Sequence, residues 1–174
     1  MYPRFRPLIG VFFVGVCACL LLAVSGCGGS GGSKQEHGQA VTTPLYVFQA
    51  PSDWKKTVSG RNAIARRDAD TLASVTVLPT VKPYRPALFP RLIRELDRVT
   101  GELAGRLQGR VTGKQTMTVA GGRVRQYRIE HGDFVDELTF VFRGKEEYLL
   151  TCRWKSKDGR PDACDLLTAS FRLR

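Results

Sequence analysis

The chain has 174 residues, 43% of them hydrophobic, with 27 Lys and Arg against 16 Asp and Glu and two histidines. Its net charge of +11 points first to acidic partners. About 130 residues remain beyond the N-terminal segments described next, which fits one domain with a real core and excludes a multidomain chain.

"MYPRFRP" carries Arg4 and Arg6, and Leu8 to Val24 is a run of 17 residues without a charge. "VSGC" follows, ending on Cys27. A basic start, an apolar middle and small residues before a cleavage point describe an export signal. "VSGC" resembles the lipobox of bacterial lipoproteins, in which the cysteine thiol is acylated and a protease cuts before it. Residues 1–26 then form the signal peptide and Cys27 carries the lipid, two acyl chains on one residue being enough for stable anchoring. The same pattern also allows an uncleaved transmembrane helix, secretion without lipid, or lipidation at Cys19 within "VCAC". The expected place is the extracytoplasmic face of the cell membrane, and Gly28 would permit outer-membrane sorting in a two-membrane cell. Loss of Arg4 and Arg6, with no acid, leaves the mature chain at +9. Export turns this charge away from nucleic acid and towards anionic lipid or wall polymer. A plainly soluble basic surface is the alternative.

Residues 27–44 read as the acylated cysteine and a Gly/Ser tether without apolar period, reaching roughly 20–25 Å on average. The globular domain is expected over 45–174. "PLYVFQAPSDWKK" opens it with a strand at Leu45–Gln49 and a turn placing Trp54 on the core. "GRNAIARRDA" and "LASVTVLPT" read as two further strands. After the proline-rich "VKPYRP", Leu88, Leu92, Leu96, Val99, Leu103 and Leu107 recur at helical spacing and predict a helix from about Pro86 to Leu107. Gly101, Gly105 and Gly109 weaken its end or leave space beside it.

Four strands follow: "RVTGKQTMTV", "GRVRQYRIEH", "FVDELTFVFR" and "YLLTCRW", joined by "AGG", "HGD" and "RGKEE" turns. Phe134, Leu138, Phe140 and Phe142 share one face at period two. Asp136 falls on that face as a misfit. "HGD" reads as a solvated turn at His131. In the closing segment Asp162 is placed to cap a short helix, with Leu166, Leu167 and Phe171 facing inward.

Cys152 and Cys164 remain after processing and acylation. An even pair in an oxidising compartment predicts a disulfide, which would pin the last helix to its neighbouring strand. Neither has a second ligand at metal spacing. Glu130, Asp133, Asp136 and Glu137 are too spread along a strand to converge on calcium. No nucleophile, metal or phosphate-loop motif is present, so neither a cofactor nor catalysis is expected. Arg91, Arg94 and Arg98 lie on the polar face of the helix, and Arg123 and Arg125 share a strand face with Tyr127. Either group can meet phosphate or carboxylate, unless Glu95 and Glu102 merely balance a solvated helix.

The segments "YVFQAPSDW", "ASVTVLPT", the Leu88–Leu107 helix, "TVAGGRVRQYRIE", "ELTFVFRGKEEYLLTCRW" and "CDLLTASFRL" together resemble the PsbP-like superfamily, including LpqN-type and DcrB-type bacterial lipoproteins. The resemblance spans residues 45–174. It implies an α+β fold, an antiparallel sheet with helices on both faces, and an accessory role in binding or assembly. It carries over no site residue. The function expected is a lipid-anchored, non-enzymatic binding protein whose partner is another envelope protein or an anionic envelope component. The alternative is a carrier holding a small or lipidic ligand between sheet and helix.

Overall fold

The computed structural model describes residues 38–174. The stretch expected to be an export signal, Cys27 and His37 lie outside the described residues. Strands β1 (Gln39–Thr42), β2 (Tyr46–Ala50) and β10 (Arg172–Leu173) form a small antiparallel sheet in the order β1-β2-β10. The main sheet comprises β3 (Lys55–Ser59), β4 (Asn62–Arg66), β5 (Leu72–Pro79), β6 (Arg110–Val119), β7 (Gly122–His131), β8 (Phe134–Arg143) and β9 (Glu146–Lys155). Its order is β3-β4-β5-β9-β8-β7-β6, antiparallel throughout. Helix α1 (Phe89–Arg106) covers one face over β6 and β7, while α2 (Ala163–Ser170) packs on the other with β2, β5 and β9. This is the expected α+β architecture, with the small sheet as an addition.

Period-two alternation sends successive side chains of each central strand to opposite faces of the sheet. Under α2, Val75, Leu150, Leu167 and Phe171 join Tyr46 and Phe48 of the small sheet in the larger core. Under α1, Tyr127, Ile129, Leu138 and Phe140 meet Leu96 and Ala104. Leu149 packs on this second core while Leu150 packs on the first, so β9 is apolar on both sides as its sequence suggests. Trp54 is buried at the turn after β2.

Three local features depart from the sequence reading. β1 lies inside the stretch read as tether. It is ordered by pairing with β2, by the complete burial of Val41, and by the Tyr46 amide donating to the Thr43 hydroxyl at 3.2 Å. β3 is exposed along its whole length and carries no apolar period to recognise. Its two lysines suit an edge that must not recruit another strand. Asp162 precedes α2 without a side-chain capping bond.

Helix α1 is also rotated from its leucine stripe. Phe89, Leu96, Thr100 and Ala104 are buried, whereas Leu88, Val99 and Leu103 are exposed. Gly101 and Gly105 face open solvent, so they leave no space between helix and sheet. Gly109 is different: a Cβ there would lie 2.3 Å from the Glu130 carbonyl oxygen. It lets the chain turn from α1 into β6 against the end of β7.

Cys152 of β9 and Cys164 of α2 form the expected disulfide, packed with Val135 and Trp154. The bridge holds α2 on the sheet and closes a loop of 12 residues. On the chain-entropy account such a loop contributes about 3 kcal/mol. Replacing both cysteines with serine should lower unfolding stability by that amount, and reductant should destabilise the parent but leave the variant unchanged. Urea unfolding with and without reductant reads both effects.

Candidate anion-binding groove

The acidic cluster of β7 and β8 is structural. Asp136 and Glu137 are both 4% exposed and, being successive strand residues, point to opposite faces. Arg153 donates to the two Asp136 oxygens at 2.6 and 2.7 Å, and His131 Nε2 lies 2.9 Å from Asp136 Oδ2. Asp136 thus holds its place among aromatics because a fork of donors meets it. This also corrects the reading of His131 as part of a solvated turn: its ring is largely buried, between Asp136 and Phe134. On the other face Glu137 accepts from Arg128, Arg160 and Gln126. Among the described residues, no three His, Cys, Asp or Glu side chains gather as metal ligands would.

The five candidate arginines divide. Arg98 is held by both Glu95 and Glu102 along the exposed helix surface. Arg125 reaches Asp97 at 3.4 Å and lies over the Tyr127 ring. These two are occupied within the fold. Arg91 and Arg94 stand exposed on α1. Arg123 lies with its guanidinium 4.7 Å from the Phe89 ring centroid, and no described carboxylate pairs with it.

Arg123 opens onto a feature that the sequence reading missed. The β6–β7 turn and the β8–β9 turn lie at the same end of the sheet, because alternate hairpins of a meander return to one edge. The first turn needs left-handed backbone at Ala120 (φ 50°) and Gly121 (φ 74°), the second at Gly144 (φ 58°). Both turns are therefore tight, and little side chain fills the space between them. A cavity of about 480 Å³ lies there on the α1 side, walled by Tyr84, Phe89, Phe142, Arg123 and Arg143. A second, of about 550 Å³, lies on the α2 side between Thr118, Thr168, Arg143 and Arg172. The two share Gly121 and Arg143, so they adjoin at the sheet end and are together called the sheet-end groove.

Its lining holds arginines and no carboxylate, although the half-buried Glu147 stands opposite Phe142 on β9. Arg143 is exposed and, like Arg123, has no carboxylate partner among the described residues. The nearby Glu146 is paired with Arg61. Tyr84 stacks at 5.6 Å on Phe142. Burial raises its hydroxyl above the ordinary tyrosine value while the Arg123 charge opposes the rise, so it stays a neutral donor at physiological pH. Planar guanidinium groups beside aromatic walls suit a carboxylate or phosphate carried on an apolar body. The missed residues had one sequence signal. "PTVKPYRPALFPRLIR", residues 79–94, holds four cations and no acid.

No family model and no curated protein matches the sequence. Solved structures share the fold, among them the following two. A crystal structure of a Bacteroides thetaiotaomicron protein has a TM-score of 0.55 at 12% identity over 79% of this chain. This chain spans 48% of that protein's length. The solution structure of cyanobacterial PsbP (CyanoP) from Synechocystis has a TM-score of 0.51 at 14% identity, covering 85% of this chain and 99% of that one. The fold is PsbP-like; at such identities the likeness extends to fold alone.

Asp97 is the acid that holds α1 on β7, accepting from the Tyr127 hydroxyl at 2.7 Å. Burial raises its pKa, but that bond with the charges of Lys114 and Arg125 outweighs burial and sets it below the ordinary carboxylate value. A depressed folded pKa contributes stability that is fully present above the unfolded value of about 4. It is lost as pH falls through the folded value. Asp97→Asn should therefore be less stable than the parent at pH 6, with the gap closing below pH 4. Urea unfolding across that range measures it.

Proposed function

We propose that this chain is an exported, lipid-anchored, non-enzymatic binding protein of the cell envelope, of the LpqN/DcrB-type PsbP-like layout, and that it holds an anionic partner at the sheet-end groove. The partner is an envelope component, either an acidic protein surface or an anionic lipid or polymer. The observation that carries the reading is the meeting of Arg123 and Arg143, neither with a described carboxylate partner, beside Tyr84, Phe89 and Phe142 in one groove. The lipobox-like "VSGC" supports anchoring at Cys27, facing the domain away from the cytoplasm. Arg91 and Arg94 extend the basic surface along α1. Arg98 and Arg125 serve the fold.

A second reading, a carrier of a small acid, is favoured by the cavity of about 480 Å³ between the start of α1 and β8, a volume in the range of small-ligand sites. Native mass spectrometry of protein from its own host separates the two, because a carrier arrives with its ligand.

Cys27→Ala should leave an unprocessed precursor or release the protein from the lipid-anchored pool. Detergent phase partitioning reads this, and a variant that still enters the detergent phase at parental size contradicts lipidation there. For the groove, a photoreactive residue at Thr118, which lines it, should give a discrete adduct in intact cells. The same residue at Thr112, exposed towards the far end of β6, should not. Arg123→Gln with Arg143→Gln should reduce the Thr118 adduct about tenfold, in line with loss of two charge-assisted contacts. Identical adducts from both positions contradict the groove as the binding site.

A further inference from the structure

Five of the exposed large hydrophobic residues lie on the α1 side of the main sheet or on its approach: Leu78, Val81, Leu88, Val99 and Leu103. Leu78, the penultimate residue of β5, lies on the α1 side of the sheet, opposite to the buried Val77. The chain then crosses the end of the sheet, its backbone tied by Thr80 N–H to the Lys145 carbonyl at 2.9 Å and by Tyr84 N–H to the Gly144 carbonyl at 2.7 Å. Those bonds hold the crossing segment against the β8–β9 turn at the rim of the groove. Val81 is 97% exposed and Leu88 44%. Between them and just beyond come Lys82, Arg85, Arg91 and Arg94, with no acid from Pro79 to Arg94.

We propose that residues 79–94 dock the domain on the headgroup region of an anionic bilayer. Val81 and Leu88 enter the interface, and Arg123 and Arg143 hold lipid phosphates in the groove behind them. The inference rests on the groove reading above and names its partner. Three features select a bilayer over a protein. The apolar side chains project singly from a held loop and the first turn of a helix, where a protein partner would be expected to meet a contiguous apolar patch. Cations surround them without interleaved acids, which matches a surface of uniform negative charge. Tyr84, half-buried, lies in sequence between Val81 and Leu88 with its ring on Phe142 and the Arg123 charge near its hydroxyl, and such an amphipathic ring is stable at a membrane interface. Among the described residues no helix is long and apolar enough to cross.

The test uses the intact, anchored chain reconstituted in vesicles, so that the anchor is constant and only the domain's orientation is read. Acyl-chain-brominated phosphatidylcholine is used alone or mixed with phosphatidylglycerol. Val81→Trp reports on the docking segment and Thr112→Trp on the far end of the sheet. Native Trp54 and Trp154 are buried and give a constant background. The indole at position 81 should be quenched at least twofold more than that at 112 in the anionic vesicles. The excess should disappear without phosphatidylglycerol or at high salt. Adding Arg85→Gln and Arg91→Gln to Val81→Trp should weaken the docked state roughly fivefold per charge removed, with an unchanged melting curve. Equal quenching at positions 81 and 112, or quenching at 81 that ignores lipid charge, overturns the inference. If that happens while the Thr118 adduct persists and depends on Arg123 and Arg143, the groove serves a protein or polymer and only the bilayer assignment falls. If the adduct is absent too, both readings fall.

Discussion

Two adjacent carboxylates on the central strand β8 constrain this fold more than any other feature. Successive residues of a strand point to opposite faces, so Asp136 and Glu137 enter different cores. A buried carboxylate without partners would be strongly unfavourable. Each therefore requires arginine from a neighbouring element. Arg153 reaches Asp136 from β9, and His131 closes its site from the end of β7. Arg128 reaches Glu137 from β7, and Arg160 reaches it from the loop before α2. Three strands and the C-terminal segment are thus held in a single register. A slip of one residue would exchange the two acids between faces and leave both without partners. The Cys152–Cys164 bridge lies close to this junction in sequence and secures the same segment covalently.

This arrangement also distributes the charge. Glu130, Asp136 and Glu137 lie towards the end of the sheet where β7 meets β8, and they engage the arginines there. At the opposite end the β6–β7 and β8–β9 turns bring Arg123 and Arg143 together with no described carboxylate between them. The crossing segment before α1 adds Lys82 and Arg85 to the same end. Two acids, Glu146 and Glu147, begin β9 at this end, but Glu146 is paired with Arg61 and burial raises the pKa of Glu147, so the groove lining keeps an excess of cations and the overall charge of the chain becomes a local field. That is the physical basis for assigning it an anionic partner.

Much of this was legible in the sequence. The four long strands β6–β9 are marked by period-two alternation and glycine turns. The disulfide is marked by the even pair of cysteines left once those of the expected export signal and lipobox are set aside. The two short strands were not legible, for different reasons. β1 is a polar segment ordered almost entirely by pairing and by one valine, and β3 is an edge with no buried residue to reveal it. The helix was found but its orientation was not. Leu96 of its stripe is buried, but the buried line also runs through Phe89, Thr100 and Ala104 while Leu88, Val99 and Leu103 stay exposed. The polar tie from Asp97 to Tyr127 and Arg125 fixes rotation in a way that hydrophobic spacing does not record. Of the five candidate arginines, two proved to be paired within the fold because their acids are close in space, Arg98 within its own helix and Arg125 across from the sheet. Arg143, Tyr84 and Arg172 escaped notice because the groove is assembled from turns distant in sequence, which only the sheet order brings together.

The central claim is that the sheet-end groove, and not the basic surface as a whole, is the anion site. Side-chain nitrogen-15 NMR of the intact protein in detergent, titrated with inorganic pyrophosphate, addresses it most directly. The account predicts that the Nε–H signals of Arg123 and Arg143 shift saturably at concentrations that leave Arg91 and Arg94 unmoved, while Arg98 and Arg153 keep their positions throughout. Shifts of equal size and midpoint across all exposed arginines would contradict it.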